Sequence, residues 1–243
     1  MTTVTLGPLK VHTVGGADRK GGGDGPAILL CHGFGAPGDD LVPLARVIDA
    51  GEGVRWFFPE APLTVNLGYG MSGRAWWPLD LALLQQQMME GHARDLAQET
   101  PPALAEARAA LEACIEALVT HHGVRRDRLL VGGFSQGAMV TTEVTLHAEE
   151  PFAGLAVLSG SILSADRWRV ASKRTAPGLK VLMTHGRADP ILPFPSADAL
   201  RALLTDAGAE VDWLPHAGQH EIPREALLRL ASFARGCFLS ATG

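Results

Sequence analysis

Leu130-Val131-Gly132-Gly133-Phe134-Ser135-Gln136-Gly137-Ala138 decides how this chain reads. An apolar run ends at Gly133, a serine stands between two glycines, and residues compatible with a helix follow. Strand, sharp turn, then helix is the context in which G-x-S-x-G becomes a nucleophile elbow. A serine held in a strained turn projects its hydroxyl out of the fold, and glycine neighbours let adjoining backbone close in. Ser135 is therefore the candidate attacking oxygen of a hydrolase. The rest of the chain should then provide a base, an acid and an oxyanion hole.

Outward from the elbow, apolar runs of buried-strand length recur at Ala27 to Cys31, Val54 to Phe58, Leu129 to Val131, Leu155 to Leu158, Val181 to Thr184 and Val211 to Leu214. Continuous apolar runs suit strands covered on both faces, as in a parallel sheet. Helical spacing of apolar residues marks Leu41 to Ala50, Pro102 to His121, Ala138 to Ala148, Ser196 to Ala207 and Pro223 to Phe238. Pro102 and Pro223 suit first helical positions. Two short strand-like runs, Val4 to Leu6 and Lys10 to Val14, open the chain as an antiparallel hairpin, and a flexible glycine-rich loop follows from Gly15 to Gly25. The alternation predicts a mostly parallel central sheet with helices on both faces, and the elbow makes an α/β-hydrolase fold the expectation. One domain over residues 1–243 is expected. Its anomaly is 59–99, a long Pro-, Gly- and Trp-containing segment with a helix-like stretch from Leu83 to Met89, placed where a substrate wall or small lid would be inserted.

Composition narrows the function classes. Over 243 residues, 47% hydrophobic and 19% charged content describes a globular chain with material for a sizeable core. A formal net charge of −5, with no extended basic cluster, argues against nucleic acid as a partner. Cys31, Cys114 and Cys237 are odd in number and widely spaced, which reads as reduced thiols in a cytoplasmic protein. No signal peptide is visible at the N-terminus, and no apolar run approaches the ~20 residues of a membrane helix. Neither C-x-x-C nor H-E-x-x-H occurs, and His121-His122 are adjacent and splayed, so no metal site is expected. The expected partner is a small-molecule ester. Oligomeric state is left open, a homodimer included.

A serine hydroxyl needs a base to take its proton, and that base needs an acid to hold its tautomer. In α/β-hydrolases the order along the chain is Ser, then Asp or Glu, then His. His220 lies on the loop just before the final helix, with His216 as its rival on the same loop. Asp189 follows the apolar run Val181 to Thr184, at the carboxyl end of a strand where α/β active sites form, and Asp166 after the preceding strand is the rival. Oxyanion donors are expected from the amide of Gln136, at a helix start, and of Phe34, in the His32-Gly33-Phe34-Gly35 turn. His32 is read as shaping that turn by hydrogen bonding. Met71, Trp76, Trp77, Met88, Ile191 and Leu192 are candidates for the substrate pocket.

These residues fall in blocks that together resemble the phospholipase/carboxylesterase branch of α/β-hydrolases, which includes the acyl-protein thioesterases. The blocks are Leu30-Cys31-His32-Gly33-Phe34-Gly35, Phe58-Pro59-Glu60-Ala61-Pro62, Trp76-Trp77-Pro78-Leu79-Asp80, the elbow itself, and Gly186-Arg187-Ala188-Asp189-Pro190-Ile191-Leu192-Pro193 with Gly218-Gln219-His220-Glu221-Ile222. The resemblance runs from about Ala27 to Phe233. It implies Ser135, Asp189 and His220 as a triad, with the Phe34 and Gln136 amides as oxyanion hole. It further implies hydrolysis of carboxylic or thiol esters of modest acyl chains through an acyl-enzyme, without a cofactor. In this family the aromatic motif precedes an Asp; here two residues separate Trp77 from Asp80. Peptidase or amidase chemistry, or lysophospholipase activity, on the same triad is the alternative, and a non-catalytic binding module the more distant one.

Overall fold

Residues 1–68, 70–80 and 96–240 are described by a computed structural model. Eight strands, β1 (Thr2–Leu6), β2 (Leu9–Gly15), β3 (Ala27–Cys31), β4 (Arg55–Pro59), β7 (Leu129–Phe134), β8 (Gly154–Leu158), β9 (Lys180–Gly186) and β10 (Glu210–His216), form one sheet. Their spatial order is β1-β2-β4-β3-β7-β8-β9-β10. β2 runs antiparallel to β1 and β4, and the remaining neighbours pair in parallel. This is the α/β-hydrolase arrangement. From β3 the chain steps to β4 on one side, then returns to β7 on the other and continues outward. The reversal leaves a crevice at the carboxyl ends of β3 and β7, where open α/β sheets bind ligands.

The continuous apolar runs follow from burial on both faces. Ile28 and Leu30 of β3 enter the core shared with Phe58, Leu230 and Phe238, while Leu29 and Cys31 enter the opposite core with Leu111, Ile115 and Val140. A period of two along the strand thus serves two cores at once. Each such aliphatic or aromatic side chain taken out of water stabilises the fold by about 1.5–3 kcal/mol. Cys31, Cys114 and Cys237 are buried free thiols, and burial pushes Cys114 up to about 12 and Cys237 up to about 11.

The helices are α1 (Leu44–Val47), α2 (Leu104–His122), α3 (Gln136–His147), α4 (Ala165–Thr175), α5 (Phe194–Asp206) and α6 (Arg224–Ser240). α3 is buried along almost its whole length. Its threonine hydroxyls are satisfied by donating back along the helix: Thr141 Oγ1 to Gly137 O at 3.0 Å, Thr142 Oγ1 to Ala138 O at 2.7 Å, and Thr145 Oγ1 to Thr141 O at 2.7 Å. Glu143 of α3 is also fully buried, bonded by Trp168 Nε1 at 2.6 Å and approached by Arg108 at 3.4 Å and Arg167 at 3.3 Å, which ties α2, α3 and α4 together.

Several element boundaries differ from expectation. α1 is a single turn, not a helix over Leu41 to Ala50, and ends where Ile48 turns extended. α2 begins at Leu104, so Pro102 precedes the helix, and Pro223 stands just outside α6. α4 was not anticipated: its polar sequence buries only Ala165, Trp168 and Ser172, a stripe too narrow to read as periodicity. Within 59–99, the expected loop contains a two-stranded antiparallel hairpin, β5 (Leu63–Gly68) and β6 (Met71–Ala75), and a 3-10 turn at Leu96–Gln98. The helix-like stretch from Leu83 to Met89 lies outside the described residues.

Candidate active site

Ser135 follows β7 directly and takes φ +54° and ψ −120°, a conformation that side chains adopt only when surrounding structure enforces it. The enforcement is visible. Ser135 N–H donates to Leu158 O at 2.9 Å, and its carbonyl accepts the amides of Ala138 at 3.0 Å and Met139 at 3.2 Å. Gly137 permits the close packing: a Cβ there would lie 2.1 Å from Cys31 O and 2.5 Å from His32 O. α3 therefore starts pressed against the turn that leaves β3.

His220 Nε2 lies 2.9 Å from Ser135 Oγ, and His220 Nδ1 lies 2.7 Å from Asp189 Oδ2. The Phe134 ring packs on the imidazole with centroids 4.8 Å apart. Asp189 is locked by its other oxygen, since Oδ1 accepts the amides of Ile191 and Leu192, both at 2.9 Å. Burial pushes the Asp189 carboxyl up, but the hydrogen bond and charge of His220, together with the Leu192 and Ile191 amides, more than offset it. The group stays below its ordinary value and ionised. The two rivals lie elsewhere. His216 Nδ1 accepts Gly218 N–H at 3.2 Å within its own loop, and Asp166 sits on α4, 85% exposed and paired with Arg169.

Two residues that sequence reasoning did not single out support this chain of bonds. His185, at the end of β9, points Nε2 at Leu192 O (2.8 Å) and Asp189 Oδ2 (3.3 Å), and burial holds it below its ordinary value. Its signal was its place four residues before Asp189. Ser159, at the end of β8 with φ +48°, donates its hydroxyl to Glu221 O at 3.1 Å and so anchors the His220 loop. Only its position after a strand could have marked it.

On the other side of Ser135 stands the turn after β3. His32 is buried; Nδ1 donates to Gly33 O at 2.8 Å and Nε2 accepts Ala61 N–H at 3.0 Å, so the ring is the neutral Nδ1–H tautomer. Burial lowers its affinity for a second proton, with the Gly33 carbonyl partly opposing. Phe34 and Gln136 both line the cavity at Ser135. Gln136 opens α3, where the first amides have no partner inside the helix. Its side chain is fully engaged: Oε1 accepts Trp76 N–H and Nε2 donates to Trp77 O, both at 2.8 Å.

The cavity at Ser135 encloses about 310 Å³. Trp77, Leu79, Leu96, Met139, Leu163 and Leu192 form its apolar wall, with Ile191, Asp40 and Glu99 also lining it. Of the six pocket candidates, Trp77, Ile191 and Leu192 line the cavity. Trp76 does not: its ring is buried in the core, with Nε1 donating to His32 O at 3.0 Å. Met71 does not either, being 58% exposed on the hairpin strand β6. Met88 lies outside the described residues. A larger recess, about 800 Å³ between α2 and α3, shares no lining residue with this one and is walled by Arg108, Glu116, Arg126 and His147 among others. Among the described residues there is no His, Cys, Asp or Glu cluster able to hold a metal ion, and no helix long and apolar enough to cross a membrane.

A strained serine at the topological switch of a parallel sheet, hydrogen-bonded through an imidazole to a buried carboxylate, defines the α/β-hydrolase class. Residues 19–238 match the family described as phospholipase/carboxylesterase, and the chain belongs to that family. It is thus a hydrolase of the ester-cleaving class. Acyl-protein thioesterase 1 of Schizosaccharomyces pombe is 28% identical over 195 residues, covering 79% of this chain and 76% of that protein. A probable carboxylesterase of Oryza sativa subsp. japonica is 26% identical over 212 residues, covering 86% and 76%. Among solved structures, esterase PE8 superposes with a TM-score of 0.78 at 24% identity, covering 94% of this chain and 99% of that one, a likeness of fold.

Proposed function

We propose that the chain is a single-domain serine hydrolase that cleaves small to medium acyl esters or thioesters with Ser135, His220 and Asp189 as catalytic triad. The observation that carries this reading is the unbroken bond sequence from Ser135 Oγ to His220 to Asp189. His220 Nε2 takes the Ser135 proton as Oγ attacks the acyl carbon, and Asp189 stabilises the imidazolium that forms. The carbonyl oxygen becomes an alkoxide facing the amides of Phe34 and Gln136. Collapse of the tetrahedral species breaks the bond to the alcohol or thiol, which leaves with the proton held by His220. Water, deprotonated by His220, then attacks the acyl-enzyme and releases the carboxylic acid, restoring the Ser135 hydroxyl.

The apolar wall of the cavity supports an acyl occupant, and its size supports a modest chain. Thioesters enter the reading through the acyl-protein thioesterases to which the chain is similar. A fluorophosphonate probe should label wild-type protein on Ser135 and leave Ser135→Ala unlabelled. Esters of rising chain length, tested beside matched thioesters and amides, should show turnover of the first two and a fall beyond a medium chain. Turnover of amides alone would overturn the ester reading.

A further inference from the structure

The two amides proposed as oxyanion donors sit on different elements. Phe34 belongs to the turn after β3, and Gln136 opens α3. Residues 73–77, the end of β6 and the Trp pair after it, bond to both. Arg74 O accepts Gly35 N–H at 2.8 Å and Arg74 N–H donates to Ala36 O at 2.9 Å, a two-bond clamp on the residues just after Phe34. Trp76 Nε1 donates to His32 O on the other flank of the same turn. Trp76 N–H and Trp77 O then take both ends of the Gln136 side-chain amide. Trp76 and Gln136 are almost wholly buried, so water does not compete for these bonds.

Gly73 shows how tight the junction is. A Cβ on it would lie 2.1 Å from Gly35 O and 2.5 Å from Gly35 C, both backbone atoms of the oxyanion turn. No rotamer relieves such a contact; the turn itself must move. Because the N–H and C=O of Arg74 both face the turn, they are not spent on the hairpin ladder with β5.

We propose that residues 73–77 are a positioning strap that fixes the Phe34 and Gln136 amides at the spacing an alkoxide requires. The proposal rests on the oxyanion roles assigned above. It makes Gly73, Arg74 and the Gln136 side chain positioning groups for transition-state binding; the groups that face the reacting oxygen are the backbone amides of Phe34 and Gln136. Loss of an oxyanion donor outright costs about 10²–10³ in kcat, and a displaced donor should cost about 10- to 100-fold.

The test uses Gly73→Ala, which pushes on Gly35, and Gln136→Met, which keeps the backbone amide and removes both bonds to the Trp pair. Each is measured for kcat, for KM, and for binding of two chain-matched inhibitors. One is a trifluoromethyl ketone, which forms an oxyanion on Ser135; the other is the corresponding alcohol, which forms none. The expected result is a fall in kcat and in ketone affinity by the same factor, with KM and alcohol affinity held. A purely structural strap would instead lower melting temperature while leaving the ketone-to-alcohol affinity ratio at the wild-type value, and that ratio overturns the proposal. Where Gly73→Ala does not fold, Gln136→Met gives the same readout. Fluorophosphonate labelling of wild type separates the two levels: an unlabelled wild type removes the triad reading, whereas a labelled wild type with unchanged variant ratios removes only the strap.

Discussion

His32, buried in the turn after β3, and His220, which lines the Ser135 cavity, each have both ring nitrogens engaged. His32 bonds only backbone, the Gly33 carbonyl and the Ala61 amide, and neither partner can exchange a proton with it. His220 bonds side chains that can change charge or react, Asp189 and the Ser135 hydroxyl. One imidazole is a bracket, the other, in the proposed mechanism, a proton carrier. The difference teaches that a buried histidine takes its role from what its partners can do with a proton, and that geometry alone would not separate the two.

Removing the carrier should have the largest effect. His220→Ala is expected to lower kcat by roughly 10⁴- to 10⁶-fold with the fold intact, measured by ester hydrolysis alongside circular dichroism. Asp189→Asn tests whether the acid sets the tautomer. The Asn amide can donate to Nδ1, which moves the ring proton to Nε2 and leaves no acceptor for Ser135, so kcat should drop about 10⁴-fold. A variant retaining a tenth of wild-type activity would contradict that assignment. His32→Asn should behave as a bracket: it keeps a donor for Gly33 O but abandons the Ala61 amide, costing about 1–3 kcal/mol in denaturant unfolding. Its kcat should fall far less than that of His220→Ala. If the two losses were equal, the comparison between bracket and carrier would collapse.

The smallest expected effect is on pH dependence. His32 and His185 are held below their ordinary value by burial, so the folded protein keeps them neutral where the unfolded chain protonates them. Below about pH 6.5 the unfolded state therefore binds more protons, and stability should decline as pH falls through the lowered values. Melting temperatures between neutral and acid pH would show this slope, and in His32→Asn it should be shallower. An unchanged slope would assign the acid sensitivity to other groups.

Much of this was legible along the chain, for physical reasons. Strands β3, β4 and β8 are buried at every position, which favours the continuous apolar runs that announce them, Arg55 at the start of β4 being buried with its guanidinium bonded to the Gly25 and His122 carbonyls. Ser135 announced itself because close approach demanded glycine on both sides. The β5–β6 hairpin did not, since its residues are largely exposed and its alternation of Leu63, Val65 and Leu67 is diluted by polar and glycine neighbours. Trp76 and Trp77 show the limit most clearly. They are adjacent and identical in type, yet only the second lines the cavity, and the backbone of both is held by Gln136, about sixty residues later in the chain. Ser159 was hidden for the same reason: its partner, Glu221, is about sixty residues later and is brought to it by the sheet.

The pairing of Cys31 with Gly133 across β3 and β7 has a further consequence. The turn bearing Phe34 and the turn bearing Ser135 leave neighbouring strands, whose separation of about 4.8 Å is dictated by peptide hydrogen bonding and not by any side chain. The sheet thus acts as a fixed gauge for the distance between the two turns. Leu79, Leu96 and Leu163, whose side chains wall the cavity, lie outside both strands and do not set that spacing. Under the proposed function, the fit of the acyl group then rests on side chains that can change without moving the turns that bear Phe34 and Ser135.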